Sequence, residues 1–200
     1  MGTKRDRPVK PDSGHLVATD FEVRKCGQAE ARDLIEKEHY AGGASNTYVA
    51  LHGLYAKGYE DLLGVTWWLP PTKIAALSVW ENHSKVLSLS RLALVKGMPV
   101  NATSYLIGRS IRLLRRTDPR WECLLTYADT WQGHTGAIYR ATNWEELGMT
   151  RPYPVYVDAA GKCVSRKKGP KTLNHQQMLA AGYRFLGKFP KYKFRMVITP

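Results

Sequence analysis

The sequence predicts an α/β (α+β) protein with a central mixed sheet flanked by helices on both faces, and two patterns carry this prediction. Two runs of strand-forming residues, 47–56 and 62–70, are joined by the short connection KGYED, which is typical of an antiparallel hairpin. Between residues 84 and 148, strand and helix patterns alternate at short spacing, which is typical of parallel pairing. One sheet is therefore expected to contain both kinds of pair.

The first half of the chain adds a strand and two helices to this hairpin. The run LVATDFEVRKC, residues 16–26, has the composition of a strand. Ala31, Leu34 and Ile35 fall at helical spacing within residues 28–40, and two glycines supply a stop. The segment PTKIAALSVW, with proline in its first turn, predicts a short helix over 71–80.

The second half repeats these signals with a stronger helix. A strand is predicted over 84–94 and another over 121–130, and the helix between them has one apolar face. GHTGAIYRATNWEELG, residues 133–148, predicts a second helix that Gly148 closes. The remaining predicted elements are strand 153–158, a helix around 175–182, the surface segment SRKKGPK and a final sheet strand, KYKFRMVI.

Size and charge predict one basic domain. The 200 residues suit a single domain over 15–200, after a flexible basic leader over 1–14. The formal net charge is +13, and residues 151–200 carry eleven Lys and Arg against one acid, Asp158, a difference of +10. A fold does not need such an excess, so a polyanionic partner is expected. No apolar run is long enough for a membrane span, so we expect no membrane partner and a cytoplasmic location.

A helix that follows a strand directly marks one candidate site. Asn101 and Ser104 lie where helix 104–116 begins, and free backbone N–H groups at such a terminus favour an anion. Asn101 or Thr103 capping the helix explains the same residues without a ligand.

A polar cluster at the end of strand 121–130 marks the second candidate site. Tyr127, Asp129, His134 and Tyr139 lie at and just beyond a strand tip, where open α/β sheets hold ligands. A carboxylate, an imidazole and phenols together can position and move protons. Turn formation by Asp129 and packing of Tyr139 are the alternative interpretation.

His39 and Tyr40, before Gly42-Gly43, are a third candidate, although a helix C-terminus favours histidine without any ligand. The spacing of histidines predicts no metal site, and the widely spaced Cys26, Cys123 and Cys163 predict neither zinc nor a disulfide framework.

Basic residues interleaved with aromatic ones near the C-terminus predict a nucleic-acid surface, because cations release phosphate counterions and aromatic rings stack on bases. A solvated basic face is the alternative. The residues expected to contact DNA are Arg166, Lys167, Lys168, Lys171, Lys188, Lys191 and Lys193.

The segments SLSRLALV, NATSYLIGRSIRLL and LLTYADTWQGHTGAIYRATNWEELGMT resemble the Mom DNA-modification proteins of bacteriophages, with a weaker match at HYAGG. The densest part also resembles GNAT N-acyltransferases. The resemblance implies a GNAT-like fold and an enzyme, acting in the cytoplasm of the infected bacterial host, that converts adenine in duplex DNA to N6-carbamoylmethyladenine. Such a modification protects phage DNA from restriction.

Matched to the family, Arg91, Ser104, Asp129 and Tyr139 are implied as catalytic positions, and His39 and Tyr40 are weaker matches. The glycine-rich pyrophosphate loop of GNAT enzymes is replaced by VKGMPVNATSY. The resemblance suggests acetyl-CoA or iron as a cofactor, and the residues alone do not distinguish them. The sequence also leaves open the group donor, the presence of a metal and the oligomeric state. Two other functions stay open at this point: a GNAT-type N-acetyltransferase acting on a protein or small amine, and a non-enzymatic DNA-binding protein.

Overall fold

The computed structural model describes residues 14–198, in which the chain forms eleven strands and five α-helices. Apart from Gly14, the predicted leader lies outside the described residues, and the prediction of one domain over 15–200 stays a prediction. The helices are α1 (Gln28–Glu38), α2 (Lys73–Leu77), α3 (Ala102–Thr117), α4 (Ala137–Ala141) and α5 (His175–Ala180). The strands are β1 (Phe21–Lys25), β2 (Ala50–Ala56), β3 (Gly64–Leu69), β4 (Val86–Leu94), β5 (Cys123–Asp129), β6 (Glu145–Met149), β7 (Tyr153–Val157), β8 (Lys167–Lys168), β9 (Lys171–Thr172), β10 (Arg184–Phe189) and β11 (Lys191–Val197).

The main sheet is mixed, as the sequence predicts. Its seven strands follow the order β1-β2-β3-β4-β5-β11-β6, in which β4 and β5 are parallel and the other neighbours are antiparallel. The predicted hairpin is β2 and β3, and the predicted strand 191–198 is β11, which pairs with β5 along its whole length.

Strands β4 and β5 pair only at their beginnings and then separate. Their register runs from Val86 opposite Cys123 to Ser88 opposite Leu125. Beyond that point β4 stays bonded to β3 as far as Leu94, and β5 stays bonded to β11 as far as Asp129. The two halves of the sheet therefore diverge, and a cleft opens between them.

Helices cover both faces of the sheet because successive strand residues point to opposite sides. On one face, Ile35 of α1 packs against a cluster that contains Trp67, and α2 packs against β4 and β5. On the other face, Ile107 of α3 packs in the cluster that contains Trp68, together with the helix α4 residue Tyr139. The predicted fold class is confirmed.

The helix predicted over 133–148 is wrong in its second half. Helix α4 ends at Ala141, and Glu145–Met149 is the edge strand β6. Asn143 has a φ of 64°, and the Trp144 amide reaches back to the carbonyl of Tyr139, which turns the chain out of the helix. The strand predicted over 16–26 is also shorter in the structure, where β1 covers Phe21–Lys25.

The segment between β6 and β11, residues 150–190, forms a separate layer, which we call the insertion. It contains the antiparallel pair β7–β10, the small hairpin β8–β9, and α5, whose Met178 is fully buried. The predicted surface position of SRKKGPK is confirmed, since Lys167, Lys168 and Lys171 are exposed. None of the helices within residues 14–198 is long and apolar enough to cross a membrane.

Two glycines in the turn before α4 give a test of this packing. Gly133 and Gly136 both have positive φ, 73° and 80°, but a Cβ on Gly136 would lie 2.3 Å from Cζ of the buried Phe194, whereas a Cβ on Gly133 would meet nothing within 4 Å. Gly133→Ala should therefore cost about 1 kcal/mol of backbone strain, and Gly136→Ala roughly 1–3 kcal/mol more. Urea unfolding of both variants measures the difference, and equal losses would contradict the packing described.

Candidate active site

A cavity of about 360 Å³ lies in the cleft between β4 and β5. Ser90 is the extra residue of a β-bulge, because Trp67 pairs with Arg91 whereas Trp68 pairs with Leu89. The bulge shifts Arg91 relative to the regular alternation at the point where the cleft opens. The cavity is lined by His39, Tyr40, Leu89, Ser90, Arg91, Leu92, Tyr127, Ala128 and residues 133–139.

The carboxylate of Asp129 lies at the end of β5, beside this cavity, and is 6% exposed. The hydroxyl of Tyr40 donates to its Oδ2, and the hydroxyl of Tyr153 donates to its Oδ1. The ammonium of Lys191 lies 2.8 Å from the same Oδ1. Tyr40 lines the cavity, so Asp129 is connected to the cavity through the hydroxyl of Tyr40.

These contacts keep Asp129 ionised. Burial alone raises the pKa of a carboxyl group, but the hydrogen bond and charge of Lys191 and the hydrogen bonds from Tyr153 and Tyr40 outweigh burial and lower the pKa of Asp129. Burial and the neighbouring carboxylate raise the pKa of both tyrosines. Both tyrosines therefore stay protonated, and each donates a hydrogen bond to Asp129.

His39 and Tyr40 follow the end of α1, where the glycines let the chain turn back toward the sheet. The backbone at Gly42 has a φ of 56°, and the ring of His39 stacks on Tyr40 with centroids 4.4 Å apart. The amide of Ala41 donates to His39 Nδ1 at 3.1 Å. Burial, with the charge of Arg91, lowers the pKa of His39 to about 4.

Arg91 connects the turn after α1 to β4. Its Nε donates to the carbonyl of Gly43 at 2.8 Å, and its Nη1 donates to the carbonyl of Ser90 at 2.7 Å. Burial lowers the pKa of Arg91, and the nearby Tyr40 and Asp129 oppose that change. The guanidinium thus fixes the wall of the cavity that carries His39.

The other predicted residues of the strand-tip cluster also line the cavity. Tyr139 is 8% exposed and packs against Trp144 and Phe194, and burial raises its pKa. Tyr127 is half-buried, and its pKa is raised by burial. His134 is exposed and contacts the ring of Tyr40 edge-on. The structure therefore brings Tyr127, His134, Tyr139 and Arg91 to one cavity, together with the pair His39-Tyr40.

The two residues predicted at the start of α3 do not line the cavity. The hydroxyl of Ser104 donates to the carbonyl of Asn101. The side chain of Asn101 accepts from the amide of Leu16 at 2.5 Å, instead of capping the helix. Their predicted roles in binding or catalysis stay predictions from the sequence.

The predicted DNA-binding residues fall into two groups. Lys167, Lys168, Lys171 and Lys188 are exposed on the insertion, and the guanidinium of Arg166 there donates to the carbonyl of Leu173. The second group lies on β11, where the ammonium of Lys193 donates to the hydroxyl of Ser78 and the ammonium of Lys191 is paired with Asp129.

Sequence reasoning missed three contributors to the site. Tyr153, at the start of β7, comes from a segment without a local signal for chemistry, whereas Trp131, whose ring meets Tyr40 edge-on, lies within the predicted strand-tip cluster but was not named as a candidate. Lys162 lies against Gly42, where even a Cβ would collide with its side chain, at 1.8 Å from Cε. This contact leaves no room for a side chain at Gly42, one of the two glycines that follow His39 and Tyr40.

The described residues show no recognisable site for either of the two cofactors that the resemblance suggested. No three His, Cys, Asp or Glu side chains within residues 14–198 converge as iron ligands would. Before α3, the amide of Val100 donates to the carbonyl of Gly14 and that of Ala102 to the carbonyl of Pro99, so these donors are not directed at a pyrophosphate. We therefore derive no chemical step through either group.

Comparison with solved structures shows the fold. NAA60 of Arabidopsis thaliana, in complex with acetyl-CoA, superposes with a TM-score of 0.57 over 89% of this chain and 99% of its own, at 10% identity. The ribosomal-protein-S18-alanine N-acetyltransferase of Escherichia coli superposes with a TM-score of 0.51 over 90% and 95% of the two chains, at 11% identity. The predicted GNAT-like fold is confirmed.

Comparison of sequences shows the family. The methylcarbamoylase Mom of Escherichia phage Mu is 29% identical over 122 residues, which are 59% of this chain and 49% of that protein. The match thus covers about half the length of that relative. The Mom protein family matches residues 20–191, nearly all of the described chain, so the protein belongs to the Mom protein family.

Proposed function

We propose that this protein is a transferase that converts adenine in duplex DNA to its N6-carbamoylmethyl form in the cytoplasm of an infected bacterium, where the modification protects phage DNA from restriction. One observation carries the proposal. A cavity lined by donors and aromatic rings adjoins a buried, ionised carboxylate, and both Tyr153 of the insertion and Lys191, which directly follows it, contact that carboxylate. The insertion, on which we propose that DNA binds, is therefore connected to the carboxylate beside the cavity.

The amino group of adenine lies inside the base stack, so the base must be extruded into the cavity, at a cost of a few kcal/mol. Aromatic rings at the cavity can offset part of this cost by stacking. Trp131, whose ring meets that of Tyr40 edge-on with centroids 6.0 Å apart, is the ring that we propose for this contact. The exposed cations of the insertion would hold the phosphates on either side.

The hydroxyl of Tyr40 is suited to orient an amine. Its proton is donated to Asp129, so the phenolic oxygen can only accept a hydrogen bond from a ligand in the cavity. Adenine N6 carries two hydrogens that it can donate. We propose that Tyr40 accepts one of them and turns the nitrogen toward the group donor, with Asp129 acting through Tyr40.

The same cavity also offers donors. Because His39 Nδ1 accepts from the amide of Ala41, the neutral imidazole carries its proton on Nε2. Nε2–H, the guanidinium of Arg91 and the protonated hydroxyl of Tyr139 are the groups that we propose polarise a carbonyl oxygen of the donor molecule. The new bond of a carbamoylmethyl group joins N6 to its methylene carbon, so these donors would hold the neighbouring carbonyl while N6 loses a proton and the rest of the donor molecule leaves from that carbon.

Two other functions compete with this proposal. A GNAT-type N-acetyltransferase acting on a protein or small amine is favoured by the acetyltransferase folds that superpose on the chain. A non-enzymatic DNA-binding protein is disfavoured by the buried network around Asp129, because binding to phosphates requires cations and not an ionised carboxylate held beside a cavity. Loss of DNA modification on disrupting the network, with DNA binding intact, separates the three.

Asp129→Asn should reduce DNA modification about 10- to 100-fold, because a charged hydrogen-bond acceptor is lost from the network that orients Tyr40. The matched control is Asp33→Asn, which removes another aspartate paired with a lysine at 2.8 Å, on an exposed part of α1. Plasmid DNA from bacteria that express each variant is tested for resistance to restriction endonucleases whose sites contain adenine. Equal resistance from both variants would overturn the assigned role of Asp129.

The exposed lysines of the β8–β9 hairpin should contribute to DNA affinity without taking part in the chemistry. Replacing Lys167, Lys168 and Lys171 by glutamine should weaken binding at every sequence and reduce the slope of log K against log salt by roughly 3, about one per phosphate contact. The matched control replaces three exposed lysines elsewhere, Lys57, Lys73 and Lys96. Fluorescence anisotropy with a duplex at several salt concentrations measures both, and an identical loss in the two triple variants would refute a dedicated surface.

A further inference from the structure

The ammonium of Lys191 is held inside the candidate site. Its Nζ lies 2.8 Å from Oδ1 of Asp129 and 4.5 Å from the centroid of the Tyr153 ring, and its side chain is 31% exposed. The Tyr153 hydroxyl donates to the same Oδ1. One carboxylate oxygen therefore receives a hydroxyl from the start of the insertion and a cation from the residue that directly follows it.

The backbone around Lys191 is fixed, so this contact does not depend on a freely moving side chain. Lys191 pairs directly with Asp129 in the antiparallel register of β11 and β5. Its amide donates to Thr150 Oγ1 at 3.0 Å, and its carbonyl accepts from the Thr150 amide at 2.9 Å. The hydroxyl of Thr130, next to Asp129, donates to the carbonyl of Pro190 at 2.7 Å. The backbone is therefore held by hydrogen bonds at both Lys191 and Asp129.

Removal of this cation would change which atom of Tyr40 faces the cavity. Without Lys191, burial would raise the pKa of Asp129 and favour the protonated carboxylic acid. A protonated Asp129 no longer needs the hydrogen of Tyr40, and that hydroxyl would be free to donate into the cavity. A hydroxyl that donates into the cavity could not accept a hydrogen bond from the N–H of an amine at the same time as its hydrogen points at that N–H. The other ionisable groups that face Asp129 are His39, Tyr40, Arg91, Tyr139, Tyr153 and Cys163.

We propose that Lys191 and Tyr153 are positioning residues, which hold Asp129 as an ionised acceptor so that the oxygen of Tyr40 is presented to the amine. The role in the reaction rests on the proposed function, whereas the effect on Asp129 does not. Lys191 thus belongs to the site and contributes little to DNA affinity, unlike the exposed Lys188 of the insertion.

The test compares three lysine-to-methionine variants of the full chain. Lys191→Met should reduce the rate of DNA modification about tenfold or more at pH 6, with a smaller loss at pH 8.5, because a higher pKa of Asp129 moves the acid limb of the pH–rate profile upward. Its affinity for a DNA duplex and its salt dependence should equal those of the parent. Lys188→Met should instead weaken DNA binding and keep the parent pH profile. Lys37→Met, which breaks the 2.8 Å ion pair with Asp33 outside the site, should change neither.

Two further variants separate positioning from general stability. Lys191→Arg restores the cation and should recover most of the rate and the parent pH profile, and Tyr153→Phe should shift the acid limb in the same direction as Lys191→Met. Weakened DNA binding by Lys191→Met, with a normal rate at saturating DNA, would make Lys191 a DNA contact and overturn the proposal. An unchanged rate and pH profile would overturn it as well.

A measurement independent of the reaction covers the case in which the proposed function is wrong. Carbon-13 NMR follows the Asp129 carboxyl group during a pH titration of the parent and of Lys191→Met, with the aspartate resonance assigned by Asp129→Asn. A midpoint at higher pH in Lys191→Met is expected even if no DNA is modified. The same midpoint in both proteins would contradict the positioning role directly.

Discussion

The buried carboxylate of Asp129 is the constraint on which the candidate site depends. An isolated charge in such a place is costly, so it must be surrounded by donors and a cation. The chain supplies them from separate segments: Tyr40 after α1, Tyr153 at the start of β7, and Lys191 at the start of β11. The one charge therefore connects the turn after α1, the insertion and the central sheet.

The divergence of β4 and β5 opens the cavity beside this charge. Each strand remains bonded to an outer neighbour, β3 or β11, so the sheet can open at its centre without leaving long edges unpaired. Arg91 then closes one side of the opening by binding the carbonyl of Gly43. The result is a cavity that is lined both by hydrogen-bond donors and, through Tyr40, by an oxygen acceptor. An amine and a carbonyl are the pair of groups that such a cavity can bring together.

The sequence predicted the parts of the site that are local. Asp129, His134 and Tyr139 follow one strand within eleven residues, and the apolar spacing of α3 and the hairpin of β2 and β3 are short-range signals. The role of Lys191 depends on its register opposite Asp129, 62 residues earlier, and that of Tyr153 depends on where β7 of the insertion lies; no local pattern encodes either. Among so many lysines, Lys191 looked like one more surface cation. The helix predicted over 133–148 was wrong because helical periodicity continues past Asn143, where the backbone turns at positive φ.

The central claim is that this cavity modifies adenine in DNA, and mass spectrometry of nucleosides from plasmid DNA tests it most directly. Expression of the protein is expected to produce an adenosine heavier by one carbamoylmethyl group, and digestion of the same cells' proteins should show no matching new acetylation. Unmodified adenosine together with acetylated protein or small amines would contradict the claim and assign the cavity to an N-acetyltransferase.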